Sequence, residues 1–98
     1  MVRVWEYDVP DESTDDFERV YGADGQWAQL FSTCEGYLST ELFRSASHPG
    51  RYLTVDLFSS EDAWRRFLAE HREAYLRLDA QSARLTRSER ELVGTDVG

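Results

Sequence analysis

The sequence predicts an α+β fold in which a βαββαβ chain order builds an antiparallel sheet with both helices on one face, the ferredoxin-like arrangement. Three observations carry the prediction. Residues 51–78, RYLTVDLFSSEDAWRRFLAEHREAYLRL, pass from a period of two directly into a helical period. Residues 37–44 and 51–58 are strand-like segments of equal length, and the SASHPG between them is turn chemistry throughout. Ahead of both, a strand-like N terminus leads into a second stretch of helical spacing.

Taken in order, Val2 to Val9 is rich in branched and aromatic residues and is ended by Pro10. Its two faces are Val2, Val4, Glu6, Asp8 and Arg3, Trp5, Tyr7, Val9. Burying Glu6 and Asp8 in an apolar layer would cost several kcal/mol, so Trp5, Tyr7 and Val9 are expected beneath the helices. Asp11 to Thr14 then offers N-cap side chains, and Phe17, Val20 and Tyr21 follow at helical spacing. Gly22 and Gly25 interrupt this helix, yet Trp27, Leu30, Phe31 and Cys34 continue it, which predicts a kinked or two-piece helix ending near Cys34, with Gly36 as the stop.

The second strand, Tyr37 to Arg44, has Leu38, Thr40 and Leu42 on one side and Tyr37, Ser39, Glu41 and Phe43 on the other. In the third, Arg51 to Phe58, the aliphatic side is Leu53, Val55 and Leu57. Ser59 is the expected cap of the next helix, with Glu61 and Asp62 suited to its dipole and Phe58 placed as a hydrophobic staple. Trp64, Phe67, Leu68, His71, Tyr75 and Leu78 then form one stripe, expected to lie on the sheet. Acid-first pairs four apart, such as Glu61 with Arg65, mark the wet side. Residues 79–87 are expected to be helical or turn-like, and 91–97 to supply a last strand.

The remaining sheet face would carry Val2, Val4, Tyr37, Phe43, Tyr52 and Phe58 beside Glu6, Glu41 and Asp56. That mixture is too apolar to leave wet and too acidic for a dry core, so a second copy is expected to cover it, sheet to sheet.

Composition narrows the function classes. The 98 residues are expected to form a single domain, 1–98, with little core to spare. Eleven arginines, no lysine and nineteen acids leave a formal charge of −8, which repels phosphate backbones and anionic membranes, so neither nucleic acid nor membrane is expected as a partner. Cys34 is the only cysteine, no apolar run approaches the roughly 20 residues of a membrane span, and MVRVWEYD is too charged for a signal peptide, so the expected location is cytoplasmic. There is no metal-ligand spacing, no Gly-rich phosphate loop and no Gly-x-Ser-x-Gly. Cys34 reads as a small buried hydrophobe and His48 as an exposed turn residue.

The runs CEGYLSTELFRS, PGRYLTVDLFSSEDAWRRFLAEH and, more loosely, VWEYDVPDESTDDFERV resemble the antibiotic biosynthesis monooxygenase family of the dimeric α+β barrel superfamily, over about residues 2–78. The resemblance implies a homodimer whose sheets form a barrel, a cleft for a small hydrophobic or aromatic ligand between sheet and helices, and chemistry that needs no cofactor. Characterised relatives include oxygenases of phenolic polyketides and haem-degrading enzymes. The haem-degrading relatives rely on an asparagine in the first strand and a tryptophan and a histidine in the second helix. This sequence contains no asparagine. With the Ser-x-x-Ala helix start matched, Phe67 stands at the tryptophan position and His71 comes too early for the histidine, so that triad is absent.

Cofactor-free oxygenation requires a base to generate an electron-rich anion and a donor or positive group for the developing oxyanion. His71 is the candidate base and Tyr75, one turn on, the candidate donor, with Trp5, Trp64 and Phe67 as walls for a flat substrate. The plainer role for His71 and Tyr75 is at the edge of the core. Glu6, Glu41 and Asp56, all expected on the barrel face, form a second constellation in which close carboxylates raise one another's pKa. Arg3, Arg44 and Arg51 nearby make an ion-pair network the simpler account of these acids. Two functions follow: a cofactor-independent monooxygenase of a flat aromatic or polyketide-like molecule, or a dimeric binding or scaffold protein of the same fold.

Overall fold

The computed structural model describes residues 1–93, the side chain of Val93 apart. Strand β1 (Val2–Asp8) is followed by a single 3-10 turn and helices α1 (Thr14–Tyr21) and α2 (Gln26–Phe31), then by β2 (Tyr37–Arg44) and β3 (Arg51–Phe58). Helices α3 (Glu61–Glu70) and α4 (Arg72–Ser82), a further 3-10 turn and β4 (Ser88–Val93) complete the order. The sheet order is β2-β3-β1-β4, and every pairing is antiparallel. This is the predicted topology, with the first helix in two pieces as its glycines require. The last strand starts three residues earlier than expected, and 94–97 of the expected 91–97 lie outside the described residues. Among the described residues, no helix is long and apolar enough to cross a membrane.

Register decides what each face carries. Tyr7 pairs with Tyr52, Trp5 with Thr54 and Arg3 with Asp56, so these six side chains share the helix-facing side. Tyr7 and Val9 are buried there, as the β1 assignment predicted. The β3 assignment is reversed: Tyr52 and Phe58 are 2% and 1% exposed beneath the helices, whereas Leu53, Val55 and Leu57 are half-buried on the open side. A two-residue period fixes that one side is distinct, not which side is inward. The two aromatic rings interlock with Phe17 and Phe31 from the helices.

Tyr37 is displaced for another reason. It pairs with Phe58 while Ser39 pairs with Leu57, leaving Leu38 as an extra, exposed residue. This irregularity turns Tyr37 to the helix side together with Thr40 and Leu42, where it meets Phe31 and Phe58. Phe43 keeps its expected place on the open side and is 49% exposed.

The cap of α3 is Ser60, whose Oγ accepts the Ala63 N–H at 3.1 Å. Ser59, the expected cap, instead gives its backbone N–H to the Gly36 carbonyl at 2.7 Å, fastening the start of β2 against α3. Gly36 is required there, since a Cβ would fall 2.3 Å from that of Ala63. The long helix expected from Ser59 to Leu78 breaks at His71, whose φ and ψ are −123° and 28°.

Candidate functional site

Between the helix-facing side of the sheet and the helices lies a cavity of about 50 Å³ free volume, opening to about 520 Å³ of non-atom space once its mouth is included. Its floor is sheet: Arg3, Trp5 and Tyr7 from β1, Thr54 and Asp56 from β3, and Thr40 from β2. Trp27 and Phe31 of α2, Trp64 of α3 and Tyr75 of α4 form an aromatic roof, and Asp79 and Glu89 stand at its wall. Rings therefore dominate the walls, and a few polar groups converge on the floor, the usual make-up of a small-molecule site.

Asp56 is the chemical centre of that floor. It is 8% exposed, and its Oδ1 accepts the Thr40 hydroxyl at 2.6 Å. Thr40 Oγ1 in turn accepts the Tyr37 hydroxyl at 2.8 Å. Burial disfavours the carboxylate and pushes the Asp56 pKa up to about 6, against the opposing effects of the Thr40 hydrogen bond and the Arg3 charge. Such a group accepts and returns a proton near neutrality.

The tyrosines around it stay neutral. Burial drives the Tyr7 phenol well above its ordinary value, and its hydroxyl shares a hydrogen bond with Thr54 Oγ1 at 3.2 Å. Tyr21 is pushed up to about 12 and Tyr75 is also raised, both chiefly by burial. Protonated phenols of this kind can donate hydrogen bonds but are not bases near neutrality. Glu89 too is raised, first by burial and then by the nearby Asp79. The Trp27 indole N–H makes no hydrogen bond of acceptable geometry, although it acts weakly on the Tyr21 hydroxyl.

The residues singled out in the sequence divide between this cavity and other places. Trp5, Trp64, Tyr75 and Asp56 line it. His71 does not: at the break between α3 and α4 its ring stacks on Phe67 with centroids 5.4 Å apart, and Nε2 lies 3.4 Å from Thr33 Oγ1. The break interrupts the helical phase, so Tyr75 lines the cavity and His71, four residues before it, does not, although both rings pack against Phe67. Phe67 is a core residue at 1% exposure and is absent from the cavity walls.

The expected acid cluster is split by the reversed face of β3. Glu6 and Glu41 are on the open side, and of the three only Asp56 lines the cavity. Glu6 pairs with Arg90 at 2.9 Å, so the ion-pair account suits it, while the carboxylates are not neighbours that could shift one another. Thr40 has no place among the sequence's site candidates, although a hydroxyl beside Leu42 on an apolar side is a signal for it. Arg3 shares its side of β1 with Trp5 and Tyr7 and was equally legible. Among the described residues, no three His, Cys, Asp or Glu side chains are grouped as metal ligands.

Comparison with known proteins adds the family. The sequence profile described as "Antibiotic biosynthesis monooxygenase" matches residues 1–78. Among solved structures, a point mutant of SnoaB, a cofactor-independent oxygenase from Streptomyces nogalater, superposes with a TM-score of 0.79 at 21% identity, covering 99% of this chain and 92% of that one. A second SnoaB structure gives 0.72 at 20% identity over 98% and 93% of the two chains. A candidate antibiotic biosynthesis monooxygenase from Deinococcus radiodurans gives 0.74 at 14% identity over 99% and 95%. At these identities the likeness is one of fold. No curated protein matches the sequence.

Proposed function

This chain belongs to the antibiotic biosynthesis monooxygenase family, and we propose that it is a cofactor-independent monooxygenase of a flat, hydroxylated aromatic or polyketide-like molecule, with Asp56 as its base. The observation that carries the reading is the Asp56 carboxylate, buried and hydrogen-bonded on the floor of an aromatic-roofed cavity. The carboxylate removes a proton from an acidic O–H or C–H of the substrate. The resulting anion is rich enough in electrons to react with O2. A CH2 carbon flanked by aromatic rings gains one oxygen atom as a carbonyl and the other leaves as water, the two electrons for its reduction coming from the substrate itself. Trp5, Trp64 and Tyr75 hold the ring system, and the Tyr75 hydroxyl with the Arg3 charge stabilises the oxyanion. His71 has no part in this scheme.

The biological unit proposed is a homodimer. Val2, Val4, Leu53, Val55 and Leu57 are half-buried on the open sheet side with Phe43 beside them, a patch that a second copy would cover. The proposed compartment is the cytoplasm, which suits the single free thiol of Cys34. A second reading, a binding protein of the same fold without turnover, is favoured by the small free volume of the cavity. Oxygen uptake measured with a panel of anthrones and hydroxylated polycyclic aromatics, with no cofactor added, separates the two. Uptake of one O2 per product supports the oxygenase, and saturable binding without uptake supports the binding protein.

A further inference from the structure

The Asp56 hydrogen bond is the inner end of a longer arrangement that the proposed reaction leaves unused. Thr40 lies opposite Asp56 across the β2–β3 pair and also lines the cavity. Tyr37, which the irregularity at Leu38 turns to the same side, is half-buried, lies outside the cavity walls and sits on β2, an edge strand of the sheet. The two hydroxyl contacts, 2.6 Å and 2.8 Å, form a continuous line from the cavity floor to that edge.

We propose that Thr40 and Tyr37 are positioning residues for Asp56: they fix one carboxylate oxygen and carry the proton taken from a bound ligand out through the β2 edge. The inference rests on the reading of Asp56 as a base. At rest Tyr37 donates to Thr40 and Thr40 donates to Asp56. Once the carboxylate has taken a proton, the hydroxyls turn, Asp56 O–H donates to Thr40, Thr40 passes its own hydrogen to Tyr37, and Tyr37 releases one to water. Each hydroxyl gains one hydrogen and loses one, so the chain is restored and one proton has left. A ligand that fills the mouth does not obstruct this route.

Other titratable and charged groups line the cavity with Asp56. Arg3 and Tyr7 face it from β1, Tyr21 from α1, Tyr75 and Asp79 from α4, and Glu89 from β4. The residues that α2 and α3 turn to the cavity do not titrate. Arg3 favours the charged form of Asp56, so the hydroxyl line must be tested by changing its own members.

The test is a titration of the Asp56 side-chain carbon by NMR on aspartate-labelled protein, assigned through Asp56→Asn. The wild-type midpoint is expected near pH 6. Thr40→Val removes a hydrogen bond to a charged acceptor and should weaken the acid by about tenfold or more, raising the midpoint by about one pH unit. Thr40→Ser should restore it, and Tyr37→Phe should move it the same way by less. A folded Thr40→Val protein with an unmoved midpoint, or failure of serine to restore it, overturns the positioning role. In a second arm 1,8-dihydroxyanthraquinone occupies the cavity. Wild type should then give one averaged Asp56 signal near its midpoint, and Tyr37→Phe a broadened or split one. An averaged signal in both overturns the exit route, whereas absence of saturable binding by this probe overturns the ligand-cavity reading itself.

Discussion

The guanidinium of Arg3 lies 4.2 Å from the centroid of the Trp64 ring, and its Nη2 is 2.5 Å from a Glu91 carboxylate oxygen. One side chain thus ties β1 to both α3 and β4 along one wall of the cavity. Arg3→Met keeps the apolar stem but loses the charge. We expect a loss of about 1–2 kcal/mol, most of it from the cation–π contact, because Glu91 is exposed enough for solvent to screen the ion pair. The Asp56 midpoint should rise as its favourable neighbour goes, and thermal melts with the NMR titration check both.

Asp56 itself makes stability depend on pH in an unusual direction. Its folded pKa, about 6, is above the ordinary 3.8, so between those values the folded chain holds more protons than the unfolded one. Stability therefore falls as pH rises through that window, by about 3 kcal/mol once Asp56 is fully ionised. Asp56→Asn removes this term while keeping an acceptor for Thr40. It should melt higher than wild type at pH 7.5 and no higher at pH 4, the two curves converging below about pH 4. Equal melting temperatures at pH 7.5 would contradict the buried carboxylate.

The two sides of β3 should respond oppositely to change. Phe58→Ala, on the helix side, should cost about 3–5 kcal/mol, and Tyr52→Asp should unfold the chain. Val55→Asp, on the open side, should leave the far-UV spectrum of the subunit intact and halve the mass measured by light scattering. A monomeric wild type would remove the proposed second copy.

These expectations show where the sequence was a sufficient guide. The strand and helix order, the interruption of the first helix and the inward side of β1 followed from spacing, glycine placement and the cost of burying Glu6 and Asp8. The inward side of β3 did not, because Leu53, Val55, Leu57 and Tyr52, Thr54, Phe58 are both credible apolar sets, and only pairing with β1 chooses between them. Asp56 was noticed but assigned to the wrong side for the same reason. Tyr37 was misplaced by a one-residue irregularity that alternation cannot register. His71 fell out of the site because its helix ends there, with no glycine or proline to announce the break.

The same break separates two residues that spacing had joined. His71→Ala should leave the affinity for flat aromatic ligands within about twofold of wild type. Tyr75→Phe, which deletes a hydroxyl inside the cavity, should weaken hydroxylated ligands by about three- to tenfold and leave unsubstituted ones unchanged. Quenching of tryptophan fluorescence reads both, since Trp5, Trp27 and Trp64 all line the cavity.

The most direct test of Asp56 as the base is the pH profile of oxygen uptake, for a substrate found in the panel, by wild type and Asp56→Asn. The expected profile has kcat/KM rising with pH through a midpoint near 6, and Asp56→Asn losing about 100-fold or more while still binding the ligand. Uptake by Asp56→Asn at the wild-type rate, or a profile without that midpoint, would contradict the role assigned to Asp56.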